Sequence, residues 1–338
     1  MVEIDGAMGE GGGQIVRTAL SLSLTAQQPI RLTNIRANRS RPGLRPQHVT
    51  AVRAAAAIGE AAVSEVREGA QTLTFEPSTV VPGTYHFDVG TAGSAVLVLQ
   101  TVLLPLLTAQ RSSRITVTGG THNKFAPPFD FFATTVLPVV ERMGPTLHAT
   151  LDRHGFYPKG GGRCTVEVQP VAELEPLTLT ERGAPRPPRI RAIVANLPRH
   201  IADREIATLR EALSVEIGET RIETPSSLSA GNALLLELPF RNVTEVVSGI
   251  GEKGRPAEQV AIGVAEDAEA YLEGDAPVGP HLADQLLLPL AVGGGEFCTT
   301  TLTAHTHTNA AVIERIFGDC FSVTEGESGW LVSVSPGS

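Results

Sequence analysis

The sequence is short of the residues that would place it in several large classes. Its three cysteines, Cys164, Cys298 and Cys320, stand far apart, too few and too scattered for a disulfide framework or a zinc cluster. No run of about 18 uncharged apolar residues occurs, which argues against a membrane-spanning helix. The opening Met1-Val2-Glu3-Ile4-Asp5 is acidic where a secretory signal is basic and then apolar, so the chain reads as cytoplasmic. Disorder needs a hydrophobic-poor composition, whereas 42% of the 338 residues are hydrophobic and only 19% charged. That length and composition suit two domains rather than one.

Lysine is scarce too. Only Lys124, Lys159 and Lys253 occur, so nearly all positive charge sits on guanidinium, whose planar fork suits phosphate oxygens bidentately. The most informative absence is of acids. Between Glu10 and Glu60 there is no Asp or Glu, while Arg17, Arg31, Arg36, Arg39, Arg41, Arg45 and Arg53 fall in the same stretch. That stretch carries +7 and the rest of the chain −16, within a formal net charge of −9. The total argues against a nucleic-acid partner. The distribution argues for a local phosphate-binding surface, because solvated faces usually mix signs.

The periodicity predicts strands interleaved with pairs of helices. Glu3–Asp5 reads as a strand, Gly9–Gly13 as a break, and Ile15-Val16 to Leu22 as a helix. A loop rich in Arg, Pro and Gly (Arg39–Pro46) precedes a helix over His48–Gly59. Gln71–Phe75, Thr84–Val89, Arg114–Thr118 and Cys164–Gln169 alternate as strands, and helices are predicted over Ala95–Leu107 and Phe129–Met143. Glycine-containing turns open apolar helices at Gln14, Ser94 and near Leu282, at intervals of 80 and 188 residues. Removing an insert of about 95 residues, a plausible size for a small domain, makes the two intervals comparable. Arg182–Arg189 (RGAPRPPR) has the composition of a linker. Beyond it, Ile190–Val194, Ala233–Leu238 and Thr244–Val247 read as strands, Ile201–Leu213 and Ala257–Leu272 as helices, and Gly274–Pro280 closes the insert. The expected division is 1–181, an inserted α/β module over 182–277, and 278–338.

Four segments carry candidate chemistry. Gly9–Gln14 (GEGGGQ) lacks the Lys-Ser/Thr of a Walker A loop. Between strand and helix it could present backbone N–H groups to a phosphate, with Glu10 as a ligand to a bridging divalent cation; a tight turn needing positive φ explains it equally. Gly249–Gly254 (GIGEKG) matches a dinucleotide pattern literally, but a hairpin-like turn is the better reading. His305 and His307, read as following a strand over Thr299–Thr303 and preceding a helix over Ala310–Phe317, would face one side of a strand. They suit a zinc pair, a nucleophile or general base, or an ordinary edge-strand pair. Leu282–Gln285 opens an apolar helix, where Asp284 and Gln285 serve as capping residues or as an acceptor–donor pair for a purine edge.

Taken together, GEGGGQIVR (9–17), the segment 36–47, GTAGSAVLVLQ (90–100), HGFYPKGGG (154–162), HLADQ (281–285) and HTHTN (305–309) resemble the RNA 3′-terminal phosphate cyclase family along essentially the whole chain. The resemblance implies an α+β fold: three repeats of a two-helix, four-stranded unit, also seen in enolpyruvyl transferases, with a smaller inserted thioredoxin-like domain. It implies ATP-dependent conversion of an RNA 3′-phosphate to a 2′,3′-cyclic phosphate, with a divalent cation, Mg2+ or Mn2+. It places the nucleophilic histidine on His305 and leaves His307 in a middle position. The adenylate pocket falls on Gln100, Pro127, His281, Leu282, Ala283, Asp284 and Gln285, and the metal-associated glutamate on Glu10. Arg17, Arg36, Arg39 and Gln47 match positions lining the phosphate side. His281 departs from the tyrosine common in the family, offering adenine a smaller stacking face. The expected partners are ATP and an RNA with a 3′-phosphate end, with no membrane; a homodimer is left open. Non-catalytic relatives that act in ribosome assembly lack the histidine, so the presence of His305 favours the enzyme.

Overall fold

A computed structural model describes residues 1–64, 66–326 and 329–337 as a mixed α+β protein. The first unit comprises β1 (Val2–Asp5), α1 (Gly13–Ala26), β2 (Ile30–Thr33), α2 (Pro46–Ile58), β3 (Ala62–Val63) and β4 (Leu73–Glu76). The second comprises β5 (Thr84–Asp88), α3 (Ala95–Leu107), β6 (Ser113–Gly119), a helical stretch, β7 (Thr146–Arg153) and β8 (Gly162–Gln169). That stretch is α4 (Phe129–Phe131), a π-helical turn (Phe132–Val136) and α5 (Leu137–Glu141), where one continuous helix was expected. Pro138 at the start of α5 has no N–H to donate, so the regular ladder is interrupted there.

The third unit begins with β9 (Leu177–Leu179). It resumes with α8 (Pro280–Gly293), β14 (Gly295–Thr299), α9 (Ala304–Phe317), β15 (Phe321–Gly326) and β16 (Gly329–Val334). The three sheets run β1-β2-β4-β3, β5-β6-β8-β7 and β9-β14-β16-β15. In each, the first pair is parallel and the other two antiparallel. One connectivity has therefore been used three times, and the helices opened by glycine turns (α1, α3 and α8) are the first helix of each unit.

Between β9 and α8 the chain builds a fourth sheet. Its elements are β10 (Arg189–Ala195), α6 (His200–Ala212), β11 (Glu219–Glu223), β12 (Gly231–Pro239), β13 (Thr244–Ile250) and α7 (Ala257–Glu273), and the strand order is β11-β10-β12-β13. All of β12 is buried. Leu234 and Leu236 pack with Ala202 and Leu209 of α6 and Val260 and Val264 of α7. The opposite face, with Ala233 and Leu235, joins Phe131 and Phe132 in the main core. A buried ionic network reinforces that seam, with the Asp130 carboxylate accepting from His122 Nε2 at 2.8 Å and Arg191 of β10 at 2.5 Å.

The RGAPRPPR stretch is not a free linker throughout. Arg182 is buried; it donates to the carbonyls of Ala276 (2.7 Å) and Tyr271 and stacks 4.0 Å over the Tyr271 ring. GIGEKG is not a hairpin turn either: Gly249 and Ile250 end β13, and the following residues lead into α7. On the return, Val278 bridges Thr299 in parallel, just beyond the parallel pairing of β9 with Gly295–Phe297 of β14.

Candidate active site

His305 stands in the first turn of α9, not on a strand. The preceding strand, β14, ends at Thr299. Thr303 instead caps the helix, its hydroxyl accepting from Thr306 N at 3.1 Å. Threonine's affinity for a strand is outweighed here by its affinity for a helix N-terminus. The change of element separates the two histidines by roughly 200° around the axis, so His305 and His307 do not form a same-side pair. The helical face shared with His305 is that of Thr308 and Asn309, three and four residues on. Thr308 Oγ1 accepts from Glu10 N at 3.1 Å. Asn309 accepts from Thr18 Oγ1 at 2.5 Å and donates to Asp284 O at 2.7 Å, tying α1, α8 and α9 together.

The glycine loop is both a tight turn and a close approach. Gly9 has φ +51°, and a Cβ there would lie 2.2 Å from Thr308 Oγ1; one on Gly13 would lie 2.1 Å from His48 Nε2. The loop sets Glu10 and Gln14 against His305. The Nδ1 of His305 meets Gln14 Oε1 at 2.8 Å, and Gln14 Nε2 donates to Asp284 Oδ2 at 3.1 Å. Because that nitrogen must face the carboxylate, the amide oxygen must face the ring, and the proton belongs on Nδ1. The relay leaves the Nε2 lone pair for chemistry. Glu10 Oε2 lies 2.6 Å from the same Nδ1 but outside hydrogen-bond geometry, a buried oxygen without a donor.

Beside this relay is a cleft of about 70 Å³ lined by Gln14, Arg17, Gln100, Asp284, Gln285 and Asn309, with Leu103, Leu104 and Leu288 among its apolar walls. Burial lowers the Arg17 guanidinium to about 10, against the opposing pull of Asp284. Burial likewise pushes the Asp284 carboxyl up, opposed by the Gln285 hydrogen bond and by His305, His281 and Arg17. Gln100 Nε2 is buried without a partner. Gln285 Nε2 donates to Asp284 Oδ1 at 2.9 Å, so this acceptor–donor pair is engaged internally. Exposed His281 stands edge-on to Phe131, ring centroids 6.3 Å apart. Leu282 and Ala283 turn their side chains into the main core, leaving only their backbone near the cleft. Pro127 is half-buried in the loop before α4.

The acid-free arginines divide between roles. Arg39 donates to Glu10 O at 2.9 Å. Arg36 donates to the carbonyls of Arg41 (2.6 Å) and Gly43 (3.0 Å). Arg45 instead pairs with Glu68 at 2.7 Å and Arg31 lies 3.9 Å from Glu3. Gln47 Oε1 accepts from Ser94 N at 2.8 Å, fastening α2 to the start of α3. Burial, and then Arg17, Arg36 and Arg45, lower His48 to about 3. Unfolded histidine titrates near 6.5, so the stability His48 contributes is fully present above that pH and declines as pH falls toward about 3. Unfolding midpoints measured from pH 7 downward are expected to fall, and His48→Gln to flatten the slope by up to about 1.4 kcal/mol per pH unit.

Two helix N-termini converge on the site. α1 begins at Gly13 after the N-cap Gly12, with no side-chain cap and no acid in its first turn, and α9 begins beside His305. Free N–H groups and aligned peptide dipoles there favour an anion such as phosphate. Gln14, Thr308, Asn309 and His48 have no individual role in the sequence pattern. The available signals were a glutamine at the start of an otherwise apolar helix and the helical i, i+3, i+4 spacing of 305, 308 and 309. Among the described residues no group of three His, Cys, Asp or Glu gathers to cage a metal.

A family model described as RNA 3′-terminal phosphate cyclase matches residues 8–323. Relatives named RNA 3′-terminal phosphate cyclase are 49% identical in Koribacter versatilis, over 99% of this chain and 95% of the relative, and 46% identical in Salmonella typhimurium, over 99% of each. One from Ralstonia nicotianae is 49% identical over 93% of this chain and 91% of its own.

Proposed function

From its membership of the RNA 3′-terminal phosphate cyclase family, to which this chain belongs, we propose that it converts an RNA 3′-phosphate to a 2′,3′-cyclic phosphate at the expense of ATP. The observation that carries this reading is the Asp284–Gln14–His305 relay, which holds a lone pair ready at Nε2 beside two helix N-termini.

A 3′-phosphate cannot be closed directly by its 2′-hydroxyl, because the departing group would be oxide. In the proposed sequence His305 Nε2 attacks the α-phosphorus of ATP, forming a P–N bond as pyrophosphate leaves. A 3′-phosphate oxygen then attacks that phosphorus and releases the histidine, giving an RNA-adenylate. The 2′-hydroxyl finally attacks the 3′-phosphate phosphorus, loses its proton and expels AMP. Covalent catalysis divides one hard displacement into easier ones.

Asp284 holds Gln14, and Gln14 holds the His305 tautomer, throughout. The adenosine lies over the mouth of the cleft of Arg17, Gln100, Asp284 and Gln285, its base toward Pro127 and His281. The RNA terminus lies toward Arg36, Arg39 and Gln47. A divalent cation, Mg2+ or Mn2+, neutralises phosphate charge when bound. Glu10 is the residue that would hold it, since its buried Oε2 lacks a donor and one carboxylate plus substrate phosphates suffices for such ions. Residues 182–277 form the insert and 1–181 with 278–338 the catalytic body.

Incubation with ATP and a 3′-phosphorylated RNA is expected to yield a cyclic end, AMP and pyrophosphate; a scaffold would leave the RNA end unchanged. Glu10→Ala is expected to raise the cation concentration needed for half-maximal activity about tenfold or more. An unchanged cation requirement would assign Glu10 a structural role.

A further inference from the structure

Two turns of the second unit stand side by side at the edge of this region. One is closed by a bridge between Asn123 and Ala126, the other by a bridge between Phe156 and Gly160. Their bases are joined: the backbone N–H groups of Thr121 and His122 donate to Gly155 O at 2.9 and 3.3 Å. The His122 ring stacks on His154 and Phe156, with centroids 5.1 and 5.3 Å away. A third turn, from the fourth sheet, leans on them, with Lys159 N donating to Ser229 Oγ at 3.1 Å.

The bases are rigid and the tips are bare. Phe125 is 90% exposed, Tyr157 80% and Leu228 55%, three of the six large hydrophobic residues found exposed among those described. All three lysines of the chain belong to this region. Lys124 lies 5.3 Å over the Phe125 ring and pairs at 2.8 Å with Glu252, next to Lys253; Lys159 follows Tyr157 on its tip. Packing explains none of these rings, since they lie outside the core clusters. Exposed aromatic faces interleaved with cations suit a single-stranded nucleic acid, whose bases stack while its phosphates meet ammonium groups.

The surface is continuous with the site. A Cβ on Gly160 would lie 2.5 Å from Thr91 O, on the loop whose Ser94 N is held by Gln47, and the Phe125 turn runs directly into Pro127. We propose that Phe125 and Tyr157, with Lys124 and Lys159, form a stacking platform for the nucleotides immediately 5′ of the RNA terminus. This rests on the cyclase reading, because the strand on the platform is the one whose end lies toward Arg36, Arg39 and Gln47.

The test compares the wild-type chain with a Phe125→Ala/Tyr157→Ala double variant on a 3′-phosphorylated oligoribonucleotide of about ten residues and on a 3′-phosphorylated dinucleotide. For the oligoribonucleotide, KM is expected to rise about tenfold or more, with kcat, dinucleotide KM and labelling by α-labelled ATP unchanged; Phe125→Trp/Tyr157→Trp should restore it. Binding of the oligoribonucleotide without ATP, followed by fluorescence anisotropy, should weaken in parallel. Unchanged oligoribonucleotide binding overturns the platform, as do equal losses on both substrates. So does an effect confined to self-association, which would make the patch an interface between copies. If the wild type neither labels nor cyclises while binding still depends on the two rings, the cyclase reading fails and the platform stands.

Discussion

Replacing His305 with alanine is expected to abolish labelling of the protein by α-labelled ATP and to lower cyclisation by about three orders of magnitude or more, the scale on which loss of a nucleophile is felt. The label on the wild type should sit in a P–N bond, released by acid and by hydroxylamine. His307→Ala is expected to retain labelling, because α9 turns that side chain away to solvent. Gln14→Ala is the more discriminating variant. It leaves the nucleophile in place but removes the oxygen 2.8 Å from Nδ1; only Glu10, outside hydrogen-bond geometry, remains beside that nitrogen, so the proton is free to move to Nε2 and occupy the attacking lone pair. A loss of about ten- to a hundredfold is expected, as for other partners that orient a functional histidine, with ATP affinity less affected. Wild-type labelling by the His305 variant would overturn the nucleophile assignment.

Asp130→Ala is expected to destabilise the fold by about 3–5 kcal/mol, the usual result of stripping one partner from a buried charge pair. The carboxylate sits between the second unit and the fourth sheet, accepting from His122 at 2.8 Å and from Arg191 at 2.5 Å. Its removal leaves the His122 ring facing a void. Arg191, a quarter exposed, keeps Glu223 at 3.1 Å, which places the expectation toward the lower end. Burial alone would raise the Asp130 carboxyl; the His122 hydrogen bond and the charges of His122 and Arg191 outweigh it and hold the group below the ordinary carboxylate range. The contribution is therefore complete above the unfolded value near 3.9 and is lost as pH falls below it. Urea unfolding at neutral pH measures the destabilisation, and an unchanged midpoint would show that the network contributes nothing net.

What the sequence reveals is local. The limits of α3 follow from the apolar run after the Ser94 cap, broken only by Gln100 and Thr101, and the three glycine turns mark the first helix of each unit. The extra length that builds the fourth sheet is legible because spacing between those turns changes abruptly. Strands such as β9, three residues long, and the polar edge strand β11 have no pattern of their own; pairing defines them. The contacts that assemble the candidate site are illegible for the same reason, since Gln14 meets Asp284 across 270 residues and His305 across 291. The HTHTN segment misleads in a specific way: threonines that favour a strand by composition are recruited as a cap, and the face that matters shifts from 305 and 307 to 305, 308 and 309.

The pairing of β9 and Val278 with successive parts of β14 bears on how the fourth sheet is carried. Leu179 lies opposite Phe297 and Val278 opposite Thr299, so the outgoing and returning chain occupy a single line along the sheet edge, with the one register position opposite Cys298 between them. The edge strand is an interrupted one, and splicing Pro-free ends across that gap would complete it without bending the backbone. The interruption is silent in the hydrogen-bond ladder and felt only by side chains. An excised version would retain an unbroken backbone but lose the packing of Ala233 and Leu235 in the core that holds Phe131 and Phe132.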